Sequence, residues 1–363
     1  MIRNVIRTVV WGTGNMGRAG IRAVVAHPEL ELVGVVSRSR AGQDAGAIAG
    51  TAALGVVATA EPDLAGVDAV VYAASGDLRP DDALADLCSA LRAGCVVVTP
   101  SVYALYDPRG ADPATREAVE TAAKEGGGAL LVSGIDPGWG NDVLPLLLSG
   151  LAGSLTQIRC QELFDYSTYD APEAVRGSVG MGGPMDQVPV MVLPGVPTMI
   201  WGGQVRMLAR ALGVQLDEIR ETVERRALEV DVTNEMGLFE AGTQGGLRFE
   251  VQGWSGGEPV IVVEHVTRID GAVAPDWPAP DSGAKGAHRV VLEGSPRLVV
   301  TVEATDEADR DPAGVGNSAA GGNATAANRL VNAVPWLRSA GPGVYDALDV
   351  PLSPAVGRLG VRA

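Results

Sequence analysis

The chain has 363 residues, 46% of them hydrophobic, and a formal net charge of −16. That length supports a sizeable core and two domains, while the acidic balance argues against nucleic acid and anionic membranes as partners. No apolar, uncharged run reaches the ~18 residues of a membrane span. Three cysteines (Cys88, Cys95 and Cys160) and three scattered histidines (His27, His265 and His288) form no disulfide framework and no metal-ligand spacing.

The first strand begins within a few residues of the start, with no signal-peptide pattern ahead of it, so a cytoplasmic protein is expected. Apolar runs at 5–10, 32–36, 69–73, 96–98 and 129–132 alternate with helical patterns at 15–26, 81–93 and 113–125. Short apolar runs alternating with helices predict a doubly wound parallel sheet of the α/β class. Sites then collect at the carboxyl ends of the strands.

The first strand runs into Gly12-Thr-Gly-Asn-Met-Gly17. In this Gly-x-Gly-x-x-Gly pattern Gly12 permits the turn, Gly14 lets backbone approach a pyrophosphate, and Gly17 lets the helix pack on the sheet. Thr13, Asn15 and Met16 complete the loop, and the helix amides face the phosphates. NAD-binding chains place a carboxylate at the end of the second strand to hold the ribose diol. This chain has Ser37-Arg-Ser-Arg40 there. Guanidinium suits a phosphate, so Ser37, Arg38 and Arg40 predict NADP, with NAD the less favoured cofactor. Ala74-Ser75-Gly76 and Thr99-Pro100 end the next strands and join the predicted cofactor site, with Asn323 from a late helix.

After Gly134-Ile-Asp-Pro-Gly138 the pattern changes. A helix is predicted at 142–151, then strands at 155–164, 247–253, 258–269, 287–292 and 297–304. Helices are expected at 203–212 and 217–227, and a Gly/Met/Pro-rich loop at 171–200. This predicts a second, α+β domain on an open mixed or mainly antiparallel sheet. A helix at 323–333, stopped by Pro335, is expected to return to the first domain. The predicted division is 1–140 with 323–363 for the nucleotide domain, and 141–322 for substrate binding and dimerisation.

Four stretches resemble the dihydrodipicolinate reductase superfamily, in its longer branch of 2,4-diaminopentanoate dehydrogenase and native amine dehydrogenases. They are Val10-Trp-Gly-Thr-Gly-Asn-Met-Gly17, Ser133-Gly-Ile-Asp-Pro-Gly-Trp139, Ala211-Leu-Gly-Val-Gln-Leu-Asp-Glu-Ile219, similar to a helix pair of that branch, and the terminal helix around 328–335. The resemblance implies hydride transfer between NAD(P)H and a C=N bond in a homodimer. Two departures qualify it. Phe164-Asp165 and Thr168 replace the His-His pair and lysine that handle dihydrodipicolinate, although Asp170-Ala-Pro172 is kept. The glutamate that close amine dehydrogenases place after the strand ending at Thr99 is also missing, and Pro100-Ser-Val-Tyr-Ala-Leu-Tyr-Asp107 stands there instead.

Imine reduction needs a positioned carbon, an acceptor for the charged nitrogen and a group that moves protons. Glu162, Asp165 and Asp107 are the candidate acids. Glu162 sits where the related reductases have an acidic residue; it shares a strand face with Phe164, whereas Asp165 faces the other way. Tyr103 is a candidate proton donor, with Tyr106 expected to pack. Trp139, Tyr166, Tyr169 and His265 are predicted pocket residues, His265 by similarity to a histidine of the amine dehydrogenases. The resulting expectation is NADP-dependent reductive amination of a small ketone or aldehyde with ammonia. Carbonyl or cyclic-imine reduction without ammonia, and NADP sensing without turnover, are the alternatives.

Overall fold

The computed structural model describes residues 5–76, 79–169, 171–310 and 316–360. Asp170, the first residue of the retained Asp-Ala-Pro stretch, lies outside them. The chain divides into two compact units, Met1–Trp139 with Asn323–Ala363, and Gly140–Gly322.

The first unit is a parallel sheet. Its strands are β1 (Ile6–Trp11), β2 (Leu30–Val36), β3 (Ala58–Thr59), β4 (Ala69–Tyr72), β5 (Val96–Thr99), β6 (Ala129–Val132) and the late β17 (Gly343–Tyr345). They lie in the order β17-β6-β5-β4-β1-β2-β3, all parallel. Between them run α1 (Asn15–Val25), α2 (Ala45–Ala49), α3 (Pro80–Arg92) and α4 (Pro113–Gly126). β4, β5 and β6 are buried along their whole length, as a sheet covered on both faces requires. Two apolar layers result. One packs Ile21 and Val24 of α1 with Ala327, Leu330, Val331 and Val334; the other packs Leu87 and Leu91 of α3 with Val119 of α4. The late residues belong to α7 (Ser318–Ala340), which is longer than predicted. Pro335 lies inside it. A proline removes one helical N–H and ordinarily ends or kinks a helix, but Leu337, two residues further on, is buried in the same apolar layer.

The second unit starts with α5 (Val143–Ser149) and is built on a six-stranded sheet of order β14-β13-β7-β12-β11-β8. Its strands are β7 (Ser154–Asp165), β8 (Glu218–Ala227), β11 (Gln244–Ser255), β12 (Glu258–Arg268), β13 (Gly286–Ser295) and β14 (Leu298–Val302). Only β7 and β12 are parallel; the other pairs are antiparallel. Small ladders join β9 (Val232–Asn234) to β10 (Gly237–Phe239), and β15 (Asp306–Arg310) to β16 (Gly316–Asn317).

The segment expected as a helix at 217–227 is β8, so Ala211–Ile219 is a helix end and a strand rather than a helix pair. Ile219 and Val223 are spaced as on a helix, but β8 pairs with β11 from Ala227 to Glu218, and that tertiary ladder overrides the local pattern. The expected loop at 171–200 carries a helical turn at Ala174–Ser178 and the start of α6 (Val196–Leu212), with Pro197 in its first turn.

Candidate functional site

At the end of β1, Gly12 has a φ of +112°, and an added Cβ would lie 2.5 Å from the Ala73 backbone. A Cβ on Gly17 would lie 2.0 Å from the Gly12 carbonyl oxygen, so α1 rests directly on the turn. Around Gly14 there is no atom within 4 Å of the Cβ position. Two glycines are needed for the turn to close, and the third faces open space at the first amides of α1. This cradle fits a pyrophosphate.

Hydroxyls gather beside the cradle. Thr13 Oγ1 lies 2.7 Å from Ser37 Oγ, which lies 3.4 Å from Ser39 Oγ. Arg38 and Arg40 are exposed at the same turn, with Arg40 donating to Gln43 at 3.4 Å. Asn15 and Met16 open α1, and Met16 packs against the apolar layer beneath. The loops after β4 and β5 are tied together: Ser101 Oγ donates to the Ala74 carbonyl at 2.6 Å, and the Ser101 N–H donates to Thr99 Oγ1 at 2.9 Å. Ser75 and Gly76 follow Ala74 in that loop, and a Cβ on Gly76 would lie 3.0 Å from Val102 N. Tyr106 donates to the Pro100 carbonyl at 3.1 Å, and Tyr103 stacks on it at 6.4 Å between centroids. Asp107 is buried in the same segment. Trp139 is half-buried, its N–H bonded to the Gly134 carbonyl at 3.0 Å across a turn in which Gly138 lies on the Gly134 backbone. Asn323 lies in the first half of α7 and is half-buried.

The second unit holds a separate polar cluster. Strand register places Glu162 of β7 between His265 of β12 and His288 of β13. His265 Nδ1 is 3.5 Å from one carboxylate oxygen and His288 Nε2 is 3.6 Å from the other. Tyr166 Oη donates to Glu162 Oε1 at 3.5 Å. His265 lies flat on Phe249 at 4.8 Å and against Trp201 of α6 at 4.3 Å. Phe164 meets His288 at 5.4 Å and Tyr166 at 6.3 Å, and Tyr166 meets Tyr169 at 5.0 Å. Burial works against a charge on Glu162, but the imidazoles of His265 and then His288 outweigh it and hold its carboxyl well below the usual carboxylate range. The cluster therefore presents a carboxylate in an aromatic setting.

Asp165 of β7 is in register with Arg268 of β12, on the sheet face opposite to Glu162, and its Oδ1 accepts the Ser167 N–H at 2.8 Å. That face carries another network. Glu264 accepts from Arg159 at 2.6 Å, Gln161 at 2.8 Å and Arg248 at 2.8 Å, and Glu250 accepts from Arg159 at 2.6 Å. Here every carboxylate has a guanidinium, so the network reads as structural. Sequence reasoning named Glu162, His265, Tyr166 and Tyr169, and the structure brings these four together. It passed over His288, Trp201 and Phe249. Alternation in β13 puts His288 on a single face, but only the register with β7 shows which residue it meets.

Residues 141–359 match the family described as 2,4-diaminopentanoate dehydrogenase C-terminal domain, and residues 6–72 match dihydrodipicolinate reductase, N-terminus. An amine dehydrogenase of Streptomyces virginiae is 60% identical over 98% of this chain and 99% of its own length. The 2,4-diaminopentanoate dehydrogenase of Acetoanaerobium sticklandii is 24% identical over 97% of this chain and 95% of its own. Among solved structures, an amine dehydrogenase of Mycobacterium smegmatis matches the fold with a TM-score of 0.75, at 20% identity, over 96% of this chain and 97% of that one.

Proposed function

The chain belongs to the 2,4-diaminopentanoate dehydrogenase family, and on that premise we propose that it is an NADP-dependent amine dehydrogenase joining ammonia to a small ketone or aldehyde, reversibly. The observation that carries the reading is Glu162, a carboxylate held ionised between two histidines and walled by Trp201, Phe249 and Phe164. The family's enzymatic relatives set aside the alternative of a sensor without turnover.

The nicotinamide supplies or accepts the hydride when bound. The chain's residues do the rest. Gly12, Gly14 and Gly17 shape the cradle for the pyrophosphate, while Ser37, Arg38 and Arg40 offer hydroxyl and guanidinium donors to a 2′-phosphate. Glu162 faces the nitrogen. As the carbon loses hydride, positive charge grows on that nitrogen, and a fixed carboxylate stabilises the developing charge. His265, His288 and Tyr166 hold the carboxylate, and the two imidazoles are the groups placed to carry the amine's proton away. The aromatic walls favour a small, largely apolar carbon skeleton.

The test is NADPH oxidation across a panel of ketones and aldehydes, with and without ammonium. Ammonium-dependent turnover is expected. Turnover that ignores ammonium would transfer the chain to carbonyl or cyclic-imine reduction. We also propose a homodimer through the second unit, as the resemblance to this family implies. A monomeric mass at micromolar concentration in light scattering would refute that assembly.

A further inference from the structure

The chain leaves β2 through Ser37–Arg40 and returns in β3 after an excursion that includes α2. The turn bearing the arginines leans on the returning segment at both ends. The Ser37 N–H donates to the Thr59 carbonyl at 2.8 Å. At the far end the Gly42 N–H donates to the Ala58 carbonyl at 2.8 Å, and the Ala58 N–H to the Gln43 carbonyl at 2.9 Å. A Gln43 N–H bond to the Arg40 carbonyl, at 3.1 Å, closes the turn, in which Gly42 has a φ of +85°. Arg38, Ser39 and Arg40 are exposed, so the backbone beneath them sets where their side chains start.

β3 is only two residues long, paired with Val35 and Val36. A carboxylate braces the segment that leads into it. Asp44 Oδ1 accepts the Gly46 N–H at 2.8 Å and the Leu54 N–H at 3.0 Å, and Oδ2 accepts the Gly55 N–H at 2.8 Å. One side chain therefore ties the start of α2 to two amides ten and eleven residues further on. The Ala45 N–H adds a bond to the Val56 carbonyl at 2.8 Å, and Asp44 bridges Val57 through the backbone. The closure is tight: a Cβ on Gly46 would lie 2.0 Å from the Ala52 carbonyl oxygen. The Leu54 N–H, with those of Gly46 and Gly55, holds the Asp44 carboxyl below the usual carboxylate range against desolvation.

We propose that Asp44 is a positioning residue for the cofactor, holding the Ser37–Arg40 turn, through residues 54–59, in the shape that receives the 2′-phosphate. This role rests on the NADP reading of that turn. A turn that is already ordered spares the bound state the cost of ordering it, so the brace acts on affinity without contact.

The test uses Asp44→Ser and Asp44→Asn. Serine still caps α2, but its hydroxyl stops one carbon short of Leu54 and Gly55, so it removes the brace and keeps the cap. Asparagine keeps the shape and sets an amide N–H₂ against one of the backbone donors. In both, NADPH affinity by fluorescence should fall at least about tenfold and NADH affinity less than about threefold. The loss should appear in KM for NADPH more than in kcat, and hydrogen exchange at amides 37–43 should quicken. NADPH affinity within twofold of wild type in folded Asp44→Ser would overturn the proposal. So would equal losses of both cofactors where the wild type prefers NADPH, since that is what a merely structural role gives. The wild type alone provides a check that needs no variant: without cofactor, the Leu54 and Gly55 amides should be protected, and free exchange there would overturn the brace. If the wild type bound NADH as tightly as NADPH, the NADP reading would fall. Quickened exchange at 37–43 in Asp44→Ser, with weaker binding of either cofactor, would then still support the brace, and unchanged exchange would overturn it.

Discussion

Replacing Glu162 with glutamine removes one negative charge and keeps the side chain's shape. The nitrogen of a bound substrate contacting the carboxylate would lie about 4 Å from the centre of charge. At an effective dielectric of about 20, a unit pair at that distance is worth about 4 kcal/mol. The carboxylate is mostly buried, with 14% of its side chain exposed, and the amide oxygen of glutamine recovers part of the interaction. A loss of about 3 kcal/mol remains, which is roughly 100-fold in rate. Since the charge develops as hydride departs, the loss belongs to kcat more than to KM. The assay is the initial rate of NADPH formation from an amine, with NADPH affinity followed by fluorescence and folding by circular dichroism. Turnover within threefold of wild type, with normal cofactor binding, would refute the reasoning and send the role to Asp165, Asp107 or a tyrosine. The same substitution has a stability signature. Glu162 is more acidic folded than unfolded, so the stability it lends is present above the ordinary carboxylate range and is lost as pH falls through it. Glu162→Gln should flatten that acid limb.

Arg38→Ala should weaken NADPH about 10- to 100-fold, the scale of one charge-assisted hydrogen bond or two, and leave NADH affinity almost unchanged; equal losses for both would count against the phosphate assignment. Gly14→Val should fold normally yet bind no cofactor, because its Cβ enters open space, whereas Gly17→Val should fail to fold, because its Cβ meets the Gly12 carbonyl at 2.0 Å; near-normal cofactor binding by folded Gly14→Val would show that the phosphates lie elsewhere. Burial and then the charge of Arg358 lower the His27 pKa from 6.5 to about 4. The unfolded chain therefore takes up this proton before the folded one does. The stability involved is present above pH 6.5 and lost as pH falls toward 4, by about 1–2 kcal/mol after solvent screening. His27→Gln should lose that slope in urea midpoints measured between pH 7.5 and pH 4, and an unchanged slope would exclude His27 as its source.

The nucleotide unit was legible because its signals are local. Gly12, Gly14 and Gly17 are spaced by the turn they make, and β4, β5 and β6 are near-continuous apolar runs because both their faces are covered. The second unit hides its logic in strand pairing. Glu221 and Arg225 stand four apart, as a helical ion pair would, yet they sit on one face of β8 opposite β11. Pro335 carries a true local penalty, but burial of Leu337 outweighs it. His288 meets Glu162 only through the antiparallel register of β13 with β7.

The two faces of that sheet share the same strands and differ in one respect. On the Arg159 face, Glu250 and Glu264 each accept from guanidinium groups, and Gln161 both donates to Glu264 and accepts from Arg289 at 2.6 Å. A ligand has little to gain there, because any new hydrogen bond must displace an existing one. On the Glu162 face, the histidine contacts to the carboxylate are long, at 3.5 and 3.6 Å. A ligand that supplies a charged nitrogen would add to that face without breaking anything. Saturation of hydrogen bonds therefore separates a scaffold from a binding site where charge and burial alone do not, since Glu264 and Glu162 are both held below the usual carboxylate range. The unsaturated face is the one that the aromatic rings of Trp201, Phe249 and Phe164 enclose.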